Sequence, residues 1–132
     1  MLTQHRTFLI CLFFFLEFFV FNRTPIGDRI ESQAIAQLFQ FDNPDVFISS
    51  TKGHTGHLLG AAGALESIFT ILSCYHGICP STLNYKSSED FKSLKIIPDD
   101  SPSSWKSSKR IALNNSFGFG GTNSCLVLSN FF

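Results

Sequence analysis

The apolar positions change character several times along the chain. From Phe8 to Phe21 they run almost unbroken, with Glu17 as the exception. After the turn Thr24-Pro-Ile-Gly-Asp28, the apolar residues Ile30, Ala34, Ile35 and Leu38 recur at helical spacing, with Asp28 placed as an N-cap. Phe41-Asp-Asn-Pro44 breaks that pattern, and Val46 to Ser50 has strand composition. A long segment from about His57 to His76 follows, bounded by Gly77 and Pro80. It predicts a helix apolar nearly all round, hence buried on more than one side. Gly60, Gly63, Ala64 and Ser67 form a small stripe that allows close approach; Leu58, Leu65, Phe69 and Leu72 form a bulky one. Ser81 to Arg110 reads as a long polar loop with one strand at Leu94 to Pro98. Strands are predicted at 110–116 and 124–129, flanking the glycine-rich turn Phe117-Gly-Phe-Gly-Gly-Thr-Asn123. The order predicts an α/β fold with a sheet covered on both faces and a buried central helix. No internal repeat is present.

Length and charge narrow the classes. At 132 residues the chain suits one small domain. Its formal net charge is zero, with no basic patch for nucleic acid. The 16 phenylalanines concentrate at the two ends, so the composition is a sum of unlike parts. The run 8–21 reaches roughly two-thirds of the ~20 residues that span a bilayer as a helix, and Glu17 is expensive at its middle. It has the core of a signal peptide behind His5 and Arg6, but no small-x-small cleavage site follows. Residues 1–21 are therefore read as an apolar leader not native to the fold, which replaces the upstream sequence of a domain spanning 22–132; a signal or membrane anchor is the alternative. Asn22-Arg-Thr24 and Asn114-Asn-Ser116 match the glycosylation sequon, a pattern too short to establish secretion.

Cys11, Cys74, Cys79 and Cys125 fall in apolar segments, where reduced, buried thiols are the ordinary expectation. His54/His57 and Cys74/Cys79 have the look of metal-ligand pairs. They sit at opposite ends of a predicted helix about 25 Å long, so they cannot share one ion. No metal and no cofactor is expected.

Candidate chemistry lies in two places. His57, at the start of the long helix, can keep a neutral ring there and donate a hydrogen bond to a developing oxyanion. A lone histidine is more often a satisfied core residue, but Glu66 and Lys52 shift the weighing. A carboxylate inside a buried helix needs a cation, and Lys52 is the nearest in sequence. His54 is explained equally well as a solvent-facing loop residue. In the second place, Gly118, Gly120 and Gly121 permit a turn that aims N–H groups at one point. It lacks the Gly-Lys-Ser/Thr of a phosphate loop, and a plain hairpin turn is the competing explanation.

Together, Lys52 to Glu66 and Asn115 to Asn123 resemble the C-terminal signature segments of the β-ketoacyl–acyl-carrier-protein synthases, elongating condensing enzymes of the thiolase-like fold. Thr24-Pro-Ile-Gly-Asp28, Pro80-Ser-Thr-Leu-Asn84 and the final strand fit in order and spacing. The resemblance spans about Thr24 to Leu128, and Lys52-Gly-His-Thr-Gly-His57 is similar to the mitochondrial type. It implies the C-terminal part of that fold, incomplete. The implied activity is decarboxylative Claisen condensation of an acyl thioester with malonyl carrier protein in fatty acid biosynthesis. By resemblance, His57 stabilises the enolate, Lys52 organises the site through Glu66, and Phe119 gates it, its N–H joining the oxyanion hole with Gly118 and Gly120 beside it. The implied partners are acyl carrier protein and malonyl or acyl thioesters, in a homodimer, without nucleic acid, in mitochondria. Association with a membrane through residues 8–21 is the alternative. Nothing in the chain matches the family's nucleophilic cysteine. Its other active-site histidine would fall within Phe18-Phe-Val-Phe21, which has none. This chain alone is accordingly expected to be inactive; a non-catalytic protein that binds a full-length partner or a membrane is the competing expectation.

Overall fold

A computed structural model describes residues 15–19, 25–39, 46–86, 94–99 and 102–130. In chain order the elements are β1 (Phe15–Phe19), α1 (Pro25–Phe39), β2 (Phe47–Ser49), α2 (Lys52–Thr55), a 3-10 turn (Leu59–Ala61), α3 (Ala62–His76), β3 (Ile78–Cys79), β4 (Lys95–Ile96), β5 (Ser103–Ser104), β6 (Arg110–Phe117), a second 3-10 turn (Phe119–Gly121) and β7 (Asn123–Ser129). The main sheet has the order β4-β2-β1-β6-β7. β1 runs parallel to β2 and to β6, and β7 closes the edge antiparallel to β6.

Alternation along β6 builds three layers. Ala112, Asn114 and Ser116 point to one face, where Asn114 and Ser116 meet Gly63 of α3. Leu113, Asn115 and Phe117 point to the other and line a cavity with α1. Each face has its own small core. Ile35, Val46 and Ile48 pack on the α1 side. Cys74, Cys79, Ile97, Trp105 and Ala112 pack together on the other. A helix thus lies over each face of the sheet, as the sequence indicated, but the edge strand β7 is exposed along nearly all its length.

The leader differs from its reading. Phe15–Phe19, five residues of the apolar run, form the strand at the middle of the sheet. A largely apolar stretch, here interrupted by Glu17, fits a strand with helices over both faces as well as it fits a leader. Phe8 to Phe14 lie outside the described residues. Among the described residues no helix is long and apolar enough to cross a membrane.

Other boundaries and faces shift. α1 begins at Pro25, three residues before the expected cap, because proline suits the first helical position. Its inward residues are Glu31, Ser32 and Ile35, while Ile30 and Leu38 are exposed. α3 begins at Ala62, not near His57. It buries Ala62, Glu66, Thr70, Ser73 and Cys74 and leaves Ile68, Ile71, Leu72 and Tyr75 exposed, so it is not covered all round. The polar stretch after Ser81 holds two short strands rather than one. Asn114 is buried, which removes it as a glycosylation site. No disulfide joins Cys74, Cys79 and Cys125; the last is exposed rather than buried, on the edge strand β7.

Arg110 closes the far end of α3. Its guanidinium donates to the carbonyls of Cys74 (2.7 Å), Tyr75 (3.2 Å) and Trp105 (3.3 Å). The first two are orphan carbonyls of the last helical turn, where the helix dipole favours a cation. Arg110→Ala should lower the stability of the chain by roughly 1–3 kcal/mol in urea unfolding, and Arg110→Lys should recover only part, since an ammonium lacks the planar fork. Unfolding midpoints equal to wild type in both variants would refute this role.

Candidate active site

The parallel strands β1 and β2 end level with Asn114 of β6, which runs three residues further. Phe19 is level with Ser49 on one side and with Asn114 on the other. β2 leads directly into α2, and β6 leads into the glycine turn, so both candidate segments leave the sheet from the same edge. Chain order reverses across β1: β2 lies on one side and β6 on the other. Open α/β sheets place ligands at such a carboxyl-end switch point.

Lys52 is the first residue of α2, and its ammonium pairs with the Glu66 carboxylate on α3. Both are buried, at 5% and 6% exposure. The expected pairing therefore forms. Glu66 lies just over one turn into α3, nearer its start than the longer predicted helix implied. Neighbouring groups hold the base of α2. Ser49 donates its hydroxyl to Pro80 O (2.6 Å), and Ser50 N–H donates to Thr82 Oγ1 (3.1 Å). A Cβ on Gly53 would stand 2.6 Å from Leu83 O, so α2 and the segment 80–84 touch through backbone. His54 is exposed with Nε2 3.3 Å from Ser81 O, consistent with its solvent-facing alternative.

His57 is not on the helix. It stands exposed in the connection between α2 and the first 3-10 turn. The macrodipole acts mainly within the first turn, so it is not what sets the ring. Leu59 N–H does so, donating to His57 Nδ1 at 3.1 Å. That bond needs a lone pair on Nδ1, so the ring proton sits on Nε2, which is left to donate. Two residues adopt special backbone angles to make this possible. Gly56 has φ 75° and ψ 178°, a region open essentially to glycine alone. Leu59 has φ 51°, which costs a side-chain-bearing residue about 1–2 kcal/mol.

Phe119 stands at the tip of the glycine turn, fully exposed at 101% of its reference area. Gly120, next to it, is left-handed at φ 74°. Gly118 donates its own N–H to Thr122 O at 2.7 Å, which closes the turn and takes that group out of any oxyanion hole. The glycine turn and the His57 segment are joined through α3. Gly63 packs so close to β6 that a Cβ would stand 2.7 Å from Ser116 Oγ. Sequence reading missed Ser49, Ser50, Thr82 and Asn114, whose signal was small polar residues at strand ends.

The two buried cysteines stand apart from this edge, whereas Cys125 pairs with Asn115 near the glycine turn. Cys74 and Cys79 are buried around the far end of α3. The Cys125 thiol, on an exposed residue, has its pKa pushed up, first by partial withdrawal from water and then by the nearby Glu31 carboxylate.

Residues 22–86 match the family model for the β-ketoacyl synthase C-terminal domain. The mitochondrial 3-oxoacyl-[acyl-carrier-protein] synthase of Arabidopsis thaliana is 47% identical over 109 residues, 81% of this chain and 23% of that protein. A solved β-ketoacyl synthase from Burkholderia phymatum superposes with TM-score 0.76 at 29% identity, over 90% of this chain and 28% of that one. A type II polyketide ketosynthase, solved in complex with its acyl-carrier protein, superposes with TM-score 0.75 at 30% identity, over 86% and 27%. Residues 22–86 form a β-ketoacyl synthase C-terminal domain, and the chain has the thiolase-like fold of the solved ketosynthases. It spans about a quarter of the length of these relatives.

Two outcomes test the geometry. Lys52→Met should cost about 3–5 kcal/mol in urea unfolding, because it strands a buried carboxylate, while Lys52→Met with Glu66→Leu should regain most of that loss. Equal stability of the single and double variants would remove the pair from the core. Alkylation of Cys125 should be slower than that of a model thiol peptide at pH 8, because a raised pKa leaves less thiolate. The rate should climb on going above the usual thiol range, and Glu31→Gln should speed it at pH 8. A model-peptide rate that Glu31→Gln leaves unchanged would contradict this.

Proposed function

We propose that this chain carries the enolate-stabilising part of a 3-oxoacyl-[acyl-carrier-protein] synthase, an acyltransferase of fatty acid biosynthesis. The observation that carries the proposal is His57 Nε2–H, freed to donate by the Leu59-to-Nδ1 bond on the segment that the buried Lys52–Glu66 pair brackets. In the proposed reaction malonyl carrier protein loses carbon dioxide, and the electron pair left behind moves into an enolate whose negative end is the thioester oxygen. His57 Nε2–H donates to that oxygen. The enolate carbon attacks the carbonyl of an acyl group held on a cysteine, and the cysteine leaves as thiolate. Lys52 and Glu66 position the 53–61 connection. Phe119, on its glycine-flanked turn, gates the acyl chain, and the amides near Phe119 and Gly120 face the acyl oxygen.

The acyl-carrying cysteine is proposed to lie outside the described residues. Cys74 is ~20 Å along α3 from its first turn, Cys79 follows it, and Cys125 holds its proton more tightly than an ordinary thiol. By itself this chain is therefore proposed to condense nothing. Acyl carrier protein is the proposed partner, supported by the carrier complex of the related ketosynthase. A mitochondrial setting is supported by the Arabidopsis relative. A homodimeric whole enzyme is proposed on the resemblance alone.

The test replaces the corresponding segment of the Arabidopsis synthase with residues 22–132. The chimera should condense acyl and malonyl carrier protein, and His57→Ala should lower kcat by about 10²–10⁴-fold. A folded chimera without activity, or near-normal condensation after His57→Ala, would overturn the proposal.

A further inference from the structure

We propose that Asn114 is a positioning residue for His57, an inference that rests on the reading of His57 as the hydrogen-bond donor to the enolate. Asn114 sits near the C-terminal end of β6, 2% exposed, three residues before the glycine turn begins at Phe117. Its side-chain amide donates to Ser67 Oγ (2.8 Å) and to Gly63 O (3.3 Å). Ser67 in turn donates its hydroxyl to Gly63 O at 2.7 Å. Two side-chain donors thus converge on one carbonyl in the first turn of α3. A hydroxyl that already gives its own proton to Gly63 can only accept from Asn114, so the direction of the network is fixed.

The clamp reaches His57 through consecutive short links. The first turn of α3 continues from the 3-10 turn, where Ala62 N–H donates to Leu59 O and Ala61 N–H to Leu58 O. Leu59 N–H then donates to His57 Nδ1. Leu59 holds its left-handed φ only because its surroundings hold it there. If the first turn of α3 is released from β6, the strained Leu59 can relax, the bond to Nδ1 is lost, and the ring is free to carry its proton on either nitrogen. Asn115, the next residue, points to the opposite face and donates to Glu31 Oε1 of α1 at 3.2 Å. The dipeptide therefore fastens a helix to each face of the sheet, but its first member alone leads to His57.

The experiment reads the ring directly. In the full 132-residue chain, long-range proton–nitrogen spectra at pH 8 should show His57 protonated on Nε2, assigned by its loss in His57→Gln. Asn114→Ala should bring in the Nδ1–H form to a substantial fraction and lower the protection of the Leu59 amide about tenfold. Asn114→Asp, isosteric but without a donor when ionised, should behave the same way at pH 8. Ser67→Ala should give an intermediate effect. Leu113→Ala, on the other face of β6, should leave both signals unchanged even if it destabilises the chain. In the condensing chimera, Asn114→Ala should lower kcat about tenfold at unchanged KM. A wild-type tautomer and Leu59 protection in the folded Ala and Asp variants, or a wild-type kcat in the chimera, overturns the role of Asn114. A wild-type chain already protonated on Nδ1 overturns the reading of His57 and the inference with it.

Discussion

The ion pair between Lys52 and Glu66 is the constraint on which the site geometry depends. Each charge is withdrawn from water, and in a protein interior neither is tolerable without the other. Lys52 is fixed to the end of β2 and Glu66 to the second turn of α3, so the pair holds two elements at a set separation. Everything between them must close that gap in thirteen intervening positions, which include the short α2 and the 3-10 turn. The chain does so by turning sharply at Gly56 and again at Leu59. The unusual angles at those residues fall within the segment that the pair brackets, and His57 lies between them.

The same constraint explains an inversion in α3. Its inward side holds Glu66, Thr70 and Ser73, and its outward side holds Ile68, Ile71 and Leu72. Burial of that inward side cannot rest on hydrophobic contact alone. It rests on polar contacts: the ion pair, the Thr70 hydroxyl on Glu66 O, the Asn114–Ser67–Gly63 network, and Arg110 on the last carbonyls. Small side chains allow the backbone of α3 to approach β6 closely enough for those bonds to form. A larger residue at position 63 would separate the layers and break several of them together.

Much of the fold was legible because strand composition, turn residues and order are local properties. β2, β6, β7 and the glycine turn fall where the sequence indicates, and Lys52 meets Glu66 as a buried carboxylate required. What was not legible depends on tertiary geometry. The apolar run at 8–21 could not announce a central strand, since a strand covered on both faces and a leader share one composition. Hydropathy alone marked α3 as buried all round, because it cannot say that the sheet takes the small and polar side. The boundary error at its start moved His57 from a helix end to a connection, and that changed the physical account of its ring. A helix dipole would have acted through space; a hydrogen bond from Leu59 acts at one atom.

That change bears on how precisely such a site must be held. A dipole field varies slowly with position, and an imidazole a fraction of an ångström out of place would feel nearly the same effect. A hydrogen bond weakens steeply with angle and length, so the tautomer of His57 tracks small displacements of the Leu59 peptide. The peptide follows the first turn of α3, and the turn follows β6. Protonation at Nε2 is therefore a property of how α3 sits on the sheet rather than of the residues next to His57. Mutations that move this helix by a few tenths of an ångström, without touching His57, act on its chemistry through the same chain of bonds.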